Sequence, residues 1–129
     1  MVGIVIVSHS QKVAEGIKDI AQQMAKDVKI IAAGGTSDGE IGTDALKIQE
    51  AILEANTGDG VLIMVDLGSA VLSAETALEF LDEELRQNVR IADAPVVEGA
   101  IVAAVQASTG AGLEEVIGTA SEAYTLRKL

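Results

Sequence analysis

The chain has 129 residues, of which 49% are hydrophobic and only 2% aromatic, and its formal net charge is −11. This length and apolar content predict one packed domain over residues 1–129 and argue against disorder. The acidic surface repels nucleic acid and anionic membranes, and the chain has few aromatic rings on which bases could stack, so we expect neither a nucleic-acid nor a membrane partner.

The sequence contains no cysteine and a single histidine, His9. Disulfides, thiolate catalysis and a cysteine-based or multi-histidine metal site within one chain are therefore excluded. No apolar run approaches the ~18 residues of a membrane span, and the apolar N-terminus ends early at Ser8 with no basic segment before it, unlike a signal peptide. We expect a cytoplasmic protein that itself binds no metal and no cofactor.

The chain begins with a strand and a helix. Residues 2–7 form a near-continuous β-branched run, which predicts a strand buried on both faces of a sheet. Ser10 lies where an N-cap would start the helix that follows. The apolar residues at helical spacing, which predict its buried face, are Val13, Ile17, Ile20, Ala21 and Met24.

A second strand and helix follow. Residues 28–33 form another short apolar run, and residues 34–40 are a loop rich in turn residues. Thr43 or Asp44 then opens a helix that runs to about residue 55. The apolar positions on one face of this helix are Ala45, Ile48, Ala51 and Ile52.

The third strand, residues 61–65, is a fully apolar run followed directly by Asp66. A tight connection at residues 67–69 leads to another predicted helix. The apolar residues at near-helical spacing in this helix are Val71, Ala74, Leu78, Leu81 and Leu85.

Residues 89–92 form a weaker fourth strand, and Pro95 suits the first turn of a helix to about residue 107. A last amphipathic face runs from Leu113 to Tyr124. This alternation of strands and helices predicts a three-layer α/β/α fold, doubly wound, with a mainly parallel four-stranded sheet and right-handed crossovers. We expect the strand order 2-1-3-4, which is common in small doubly wound domains.

In such a sheet, functional sites lie beyond the carboxyl ends of the strands, beside strand 1. His9 follows the first strand and Asp66 follows the third, so the fold predicts that they are neighbours. A carboxylate bound to one imidazole nitrogen selects the tautomer in which the other nitrogen attacks phosphorus. We predict His9 as the nucleophile and Asp66 as its partner, although a loop histidine and a capping aspartate remain the simpler alternatives.

Other residues in the same loops are candidates for contacts to a phosphoryl group. Two of them mark helix starts, whose N–H groups bind anions, and others offer hydroxyl groups or a backbone that can be approached closely. The candidates are Ser10, Gly35, Thr36, Thr43, Gly68 and Ser69. Each is also explained as an ordinary turn residue or helix start.

Four segments carry a resemblance to a known family. Residues 3–10, which end in VSHS, resemble the phosphorylation segment of the mannose-type IIA domains of the sugar phosphotransferase system. Together with GTDALK at 42–47, DLGSAVLSAETA at 66–77 and APVVEGA at 94–100, the chain resembles more closely the phosphoryl-donor subunits of phosphotransferase-dependent dihydroxyacetone kinases. The sugar-transporter relatives commonly have a tryptophan and paired glycines after the aspartate, which are absent here.

The resemblance implies a mannose-IIA-like fold and a homodimer. It implies that the phosphocarrier HPr phosphorylates Nε2 of His9, with phosphoenolpyruvate as the source. The acceptor would be ADP held in a separate nucleotide-binding subunit, which then phosphorylates dihydroxyacetone on a third subunit. Some relatives carry additional carrier domains, whereas this chain is expected to depend on separate upstream carriers.

Three other functions stay open on the sequence. A IIA domain that serves a mannose-type sugar permease would differ in its phosphoryl acceptor. A small tetrapyrrole metal chelatase also places a histidine after the first strand, but it generally needs further ligands and this chain has no second histidine. A plain interaction module would be unaffected when His9 is replaced.

Overall fold

The computed structural model describes all of residues 1–129. Its strands are β1 (Gly3–Ser8), β2 (Ile30–Gly34), β3 (Val61–Val65) and β4 (Val89–Ile91). Its helices are α1 (Gln11–Met24), α2 (Ala45–Ala55), α3 (Gly68–Glu79), α4 (Glu83–Arg86), α5 (Val96–Ser108) and α6 (Leu113–Glu122), followed by a 3-10 turn (Ala123–Thr125). None of these helices is both long enough and apolar enough to cross a bilayer.

All four strands are parallel, and they lie in the order β2-β1-β3-β4. In β1, one of the two inner strands, Ile4 is opposite Ile30 of β2 on one side and Leu62 of β3 on the other. β1 is apolar on both faces, which favours an inner position in the sheet, and its apolar side chains leave no exposed surface there. The predicted α/β class, parallel sheet and order 2-1-3-4 are therefore confirmed.

The sheet separates two hydrophobic cores. Successive side chains of a strand point to opposite faces, so Ile4 and Ile6 enter one core and Val5 and Val7 the other. Helices α1, α5 and α6 cover the first core, and α2 and α3 cover the second. Both cores consist of aliphatic residues with many alanines, and the first core also contains Met64. The small alanine side chains let the helices lie close to the sheet. This arrangement is the predicted three-layer α/β/α architecture.

The predicted buried face of α1 was wrong in part. The residues predicted to be buried that are in fact exposed are Val13, Ile20 and Met24. The helix instead buries Ala14, Ile17 and Ala21, which have an equally helical spacing. A Cβ at Gly34 of β2 would lie 2.7 Å from the Cβ of Ala14, so this contact admits only small residues. Close approach to the sheet, rather than hydrophobicity alone, selects the face that is buried.

The helix predicted to continue from Val71 to Leu85 is interrupted. α3 ends at Glu79, and the side chain of Asp82 accepts a hydrogen bond from the N–H of Leu85 to begin the short helix α4. The buried residues of α3 are alanines, namely Ala70, Ala74 and Ala77. An aspartate N-cap satisfies backbone N–H groups locally, and this favours a new helix start over continuation.

Three loops meet at the carboxyl edge of the sheet and are joined by backbone hydrogen bonds. The N–H of Gly35, after β2, donates to the carbonyl of Ser8 at 3.0 Å, and the N–H of Gly42 donates to the carbonyl of His9 at 2.8 Å. The N–H of Asp66, after β3, donates to the carbonyl of Val7 at 3.2 Å. These bonds set the backbone positions of the loops around His9.

Candidate functional site

His9 and Asp66 are in direct contact at this edge, as the topology predicts. They follow the adjacent strands β1 and β3, and Nδ1 of His9 lies 3.0 Å from Oδ1 of Asp66. The side chains are 23% and 16% exposed, respectively. The pair is therefore sheltered by the surrounding loops while remaining open to a molecule that approaches the edge of the sheet.

The carboxylate of Asp66 is held through both oxygens. Oδ1 also accepts the N–H of Leu67 at 2.8 Å. Oδ2 accepts the N–H of His9 at 2.9 Å and the hydroxyl of Ser8 at 3.0 Å. Because four donors converge on this carboxylate, it cannot rotate without losing several of them, and it holds the imidazole in one orientation.

Ser8 is a site residue that sequence reasoning did not single out. Its side chain is 1% exposed, and it is the only buried polar residue of the core. The hydroxyl donates to Asp66 and accepts the N–H of Ser10 at 3.1 Å. The sequence could have indicated Ser8, because its hydroxyl stands at the end of a fully apolar strand and a polar group that is buried needs hydrogen-bond partners.

The environment of Asp66 keeps it ionised. Burial alone would raise its pKa, but the hydrogen bonds from the N–H and ring of His9 and from Ser8 outweigh this, and the pKa lies below the usual 3.8. An ionised carboxylate can only accept hydrogen bonds, so Nδ1 of His9 must be the donor. In the neutral ring, Nε2 then carries the lone pair.

Ser69, in the first turn of α3, faces that second nitrogen. Its hydroxyl oxygen lies 2.8 Å from Nε2 of His9. Because Nε2 of the neutral ring is an acceptor, the hydroxyl of Ser69 is the donor of this bond. The structure therefore brings one of the predicted phosphoryl-contact residues directly to the nitrogen that would form a bond to phosphorus.

Gly68 and Ser10 lie at the starts of the two helices beside the ring. A Cβ at Gly68 would have no atom within 4 Å, so packing within this chain does not require a glycine there. The hydroxyl of Ser10 accepts the N–H of Val13 at 3.3 Å and so acts as the N-cap of α1. The first N–H groups of α1 and α3 lack partners within their helices, and both helix dipoles favour a negative charge at this edge.

The candidates from the loop after β2 maintain the shape of that loop or join it to α3. Gly35 has φ +72°, and a Cβ there would lie 3.0 Å from the carbonyl oxygen of Glu40. The hydroxyl of Thr36 accepts the N–H of Glu40 at 3.1 Å. The hydroxyl of Thr43 lies 2.5 Å from that of Ser73 on α3. Neither threonine is hydrogen-bonded to the ring of His9, so both lie at the border of the site.

The arrangement is suited to nucleophilic attack by the imidazole. It combines a fixed tautomer, a partly exposed Nε2, a hydroxyl donor beside that nitrogen and two helix N-termini that stabilise an anion. The structure contains no group of three or more histidine, cysteine, aspartate or glutamate side chains that could hold a metal ion.

Comparison with known proteins identifies one family. The EIIA-man family model, described as the PTS system fructose IIA component, matches residues 3–117. The phosphoryl donor subunit DhaM of PEP-dependent dihydroxyacetone kinase 2 from Listeria innocua is 48% identical, with 91% of this chain and 94% of the relative covered. The corresponding subunit from Escherichia coli K12 is 46% identical, and the alignment covers 99% of this chain but 28% of that longer relative.

The phosphotransferase subunit DhaM of a PTS-dependent dihydroxyacetone kinase from Lactococcus lactis is 40% identical, with 88% of this chain and 89% of the relative covered. Among solved structures, the crystal structure of EF1359, a protein of unknown function, is 37% identical and superposes with a TM-score of 0.85 over 95% of each chain. The chain therefore belongs to the mannose-type IIA family of the phosphotransferase system and, within it, to the DhaM phosphoryl donor subunits of dihydroxyacetone kinases.

Proposed function

We propose that this chain is a phosphocarrier in which Nε2 of His9 accepts a phosphoryl group from one protein and passes it to another. The observation that carries the proposal is the pairing of Nδ1 with Asp66 at 3.0 Å, which leaves Nε2 as the nucleophilic nitrogen. Phosphoryl transfer needs mainly positioning and charge stabilisation, and this site supplies both.

In the uptake step, the lone pair of Nε2 attacks the phosphorus of phosphorylated HPr. A new P–N bond forms while the P–N bond to the donor imidazole breaks, and that electron pair returns to the donor ring. Asp66 stabilises the positive charge that develops on His9, since it accepts the proton on Nδ1 in a hydrogen bond. Ser69 must leave Nε2 and is then placed to donate to a phosphoryl oxygen.

In the delivery step, the acceptor is ADP bound in the nucleotide-binding subunit of dihydroxyacetone kinase. A β-phosphate oxygen attacks phosphorus, the P–N bond breaks, and its electron pair returns to Nε2. The resulting ATP phosphorylates dihydroxyacetone on the third subunit. The names of the relatives, which are phosphoryl donor subunits of PEP-dependent dihydroxyacetone kinases, support this acceptor.

We further propose that the protein works in the cytoplasm as a homodimer. The nucleotide belongs to the partner subunit, and the chain needs neither a metal nor a cofactor of its own. Phosphoenolpyruvate is the original source of the phosphoryl group, delivered through HPr.

The decisive experiment measures the intact mass of the protein after incubation with phosphoenolpyruvate, the upstream phosphotransferase enzyme and HPr. We expect an acid-labile phosphoryl adduct on the wild type and none on His9→Ala. The variant should remain folded, with a free energy of unfolding within about 1 kcal/mol of the wild type, because the side chain is partly exposed.

The second half of the experiment identifies the acceptor. Discharge of the adduct by the ADP-loaded nucleotide-binding subunit, with formation of ATP, is the expected result. Discharge only by a mannose-type sugar permease would assign the chain to sugar transport instead. The absence of any adduct on the wild type would contradict the carrier function itself.

A further inference from the structure

A cleft of about 430 Å³ opens beside Asp66, between the loop after β3 and the loop after β4. Its walls are mostly apolar and include Val71 of α3 and Ile91 of β4. Its polar groups come from Asp66, Asp93 and Tyr124. We call it the Asp93 cleft. Its volume lies within the range of pockets that bind small molecules or single side chains of a partner.

The two carboxylates in this cleft differ in their bonding. Asp66 accepts four hydrogen bonds from within the chain, so its oxygens are occupied. Asp93 accepts a single one, from the hydroxyl of Tyr124 to Oδ1 at 3.0 Å, and forms no ion pair. Asp93 therefore offers an unoccupied carboxylate oxygen at the edge of an apolar surface.

Tyr124 was expected on the apolar face of the last helix, but it lies in the 3-10 turn after α6 and is 62% exposed. Its ring lines the cleft and its hydroxyl orients Asp93. A cation is attracted to a carboxylate and also to the face of an aromatic ring. This wall of the cleft therefore suits a positively charged group.

The apolar walls of the cleft suit an aliphatic segment attached to that positively charged group. Arginine and lysine side chains combine a charged head with an aliphatic stem that packs on apolar surface. The net charge of −11 favours a basic partner as well. The aliphatic side chains of Ile41 and Leu67, in the loops at the same edge of the sheet, and of Leu72 in α3 are exposed, as expected of a surface that docks another protein.

We propose that the Asp93 cleft receives an arginine or lysine side chain of the protein that exchanges a phosphoryl group with His9. This inference rests on the phosphocarrier function proposed above and identifies the feature of the partner that the site selects. A cation in the cleft lies next to Asp66 and offsets the repulsion between these carboxylates and the incoming phosphoryl group. It also fixes the approach of the partner to Nε2.

The test uses Asp93→Asn, which removes the charge but keeps an oxygen that can accept the hydroxyl of Tyr124. We expect the KM for phosphorylated HPr, for the ADP-loaded subunit, or for both to rise about tenfold with a smaller change in kcat. The salt dependence of kcat/KM should weaken, since one attractive charge has been removed. The matched control is Asp27→Asn, which removes an exposed charge before β2, at the opposite edge, and should leave both KM values unchanged.

An unchanged KM in both half-reactions, with His9 still fully phosphorylated at saturating donor, would overturn the role of the Asp93 cleft and leave the carrier function intact. If the wild type accepts no phosphoryl group, the proposed carrier function is wrong.

An NMR titration tests separately whether the Asp93 cleft binds a cationic side chain. The probe is N-acetylarginine amide, with the neutral N-acetylcitrulline amide as its control. Shifts at Ile91 and Tyr124 with the arginine probe only, lost in Asp93→Asn, support the cation site, whereas no shifts overturn it.

Discussion

The hydroxyl of Ser69 lies 2.8 Å from Nε2 of His9, on the opposite side of the ring from Asp66. In the proposed mechanism this hydroxyl occupies the place that phosphorus must take, so uptake begins when Ser69 moves aside. Ser69 is exposed in the first turn of α3, where a rotation of its side chain meets little resistance. The same hydroxyl can then bind the transferred phosphoryl group.

This relationship predicts the effect of Ser69→Ala. The fold should persist, and the rate of phosphorylation at saturating donor should fall about 10- to 100-fold, the value of one hydrogen bond to a charged group. Rapid-quench measurement of phosphohistidine formation gives the rate. Ser121→Ala on α6 serves as the control for loss of a hydroxyl away from the site. A rate equal to that of the control would show that Ser69 takes no part in phosphoryl transfer and serves only as a residue of the helix start.

Replacing Asp66 should affect the chemistry more than the fold. Asp66→Ala removes the acceptor of the proton on Nδ1, so the wrong tautomer becomes populated and the charge on the ring is no longer stabilised. We expect phosphorylation to slow by roughly 10²–10⁴-fold. Single-turnover transfer from HPr measures the rate, and circular dichroism monitors the fold. An unchanged rate would remove Asp66 from the mechanism.

The stability of the protein should depend on the ionisation of Asp66 in acid. Its pKa is lower in the folded chain than the usual 3.8, so the charged form stabilises the fold. This contribution is fully present well above 3.8 and is lost as the pH falls through the lower folded-state pKa. Urea unfolding of wild type and Asp66→Asn between about pH 5 and pH 2 should show a difference in unfolding free energy that shrinks with acidity. A difference that grows with acidity would contradict the sign of the shift.

Replacement of glycine by alanine should change the free energy of unfolding in opposite directions at two positions. Gly35 has φ +72° and its Cβ would lie 3.0 Å from the carbonyl of Glu40, so Gly35→Ala strains the loop that borders His9. We expect a loss of about 1–2 kcal/mol in unfolding free energy. Gly16, in the exposed interior of α1, has no atom within 4 Å of a Cβ, and Gly16→Ala should gain roughly 0.5–1 kcal/mol. Thermal and urea unfolding compare the two, and a stable Gly35→Ala protein would show that the turn adapts.

Much of the fold followed from local pattern. The β-branched runs and their alternation with helical segments predicted the four strands, and the topology rules then gave their order correctly. That order also brought His9 and Asp66 together, because both residues directly follow adjacent parallel strands. The pairing of these two residues could be predicted without side-chain detail, because the carboxyl ends of parallel strands lie at the same edge of the sheet.

The sequence by itself therefore determined the architecture, the identity of the only histidine and its aspartate partner. The tertiary structure decided what depends on close packing and side-chain direction. Periodicity in α1 allowed two faces, and close packing on the sheet, as at the contact of Ala14 with Gly34, selected the one with alanines. The convergence of donors on Asp66, the position of Ser69 at Nε2 and the Asp93 cleft arise where separate loops meet, and their geometry depends on interactions between residues far apart in the chain.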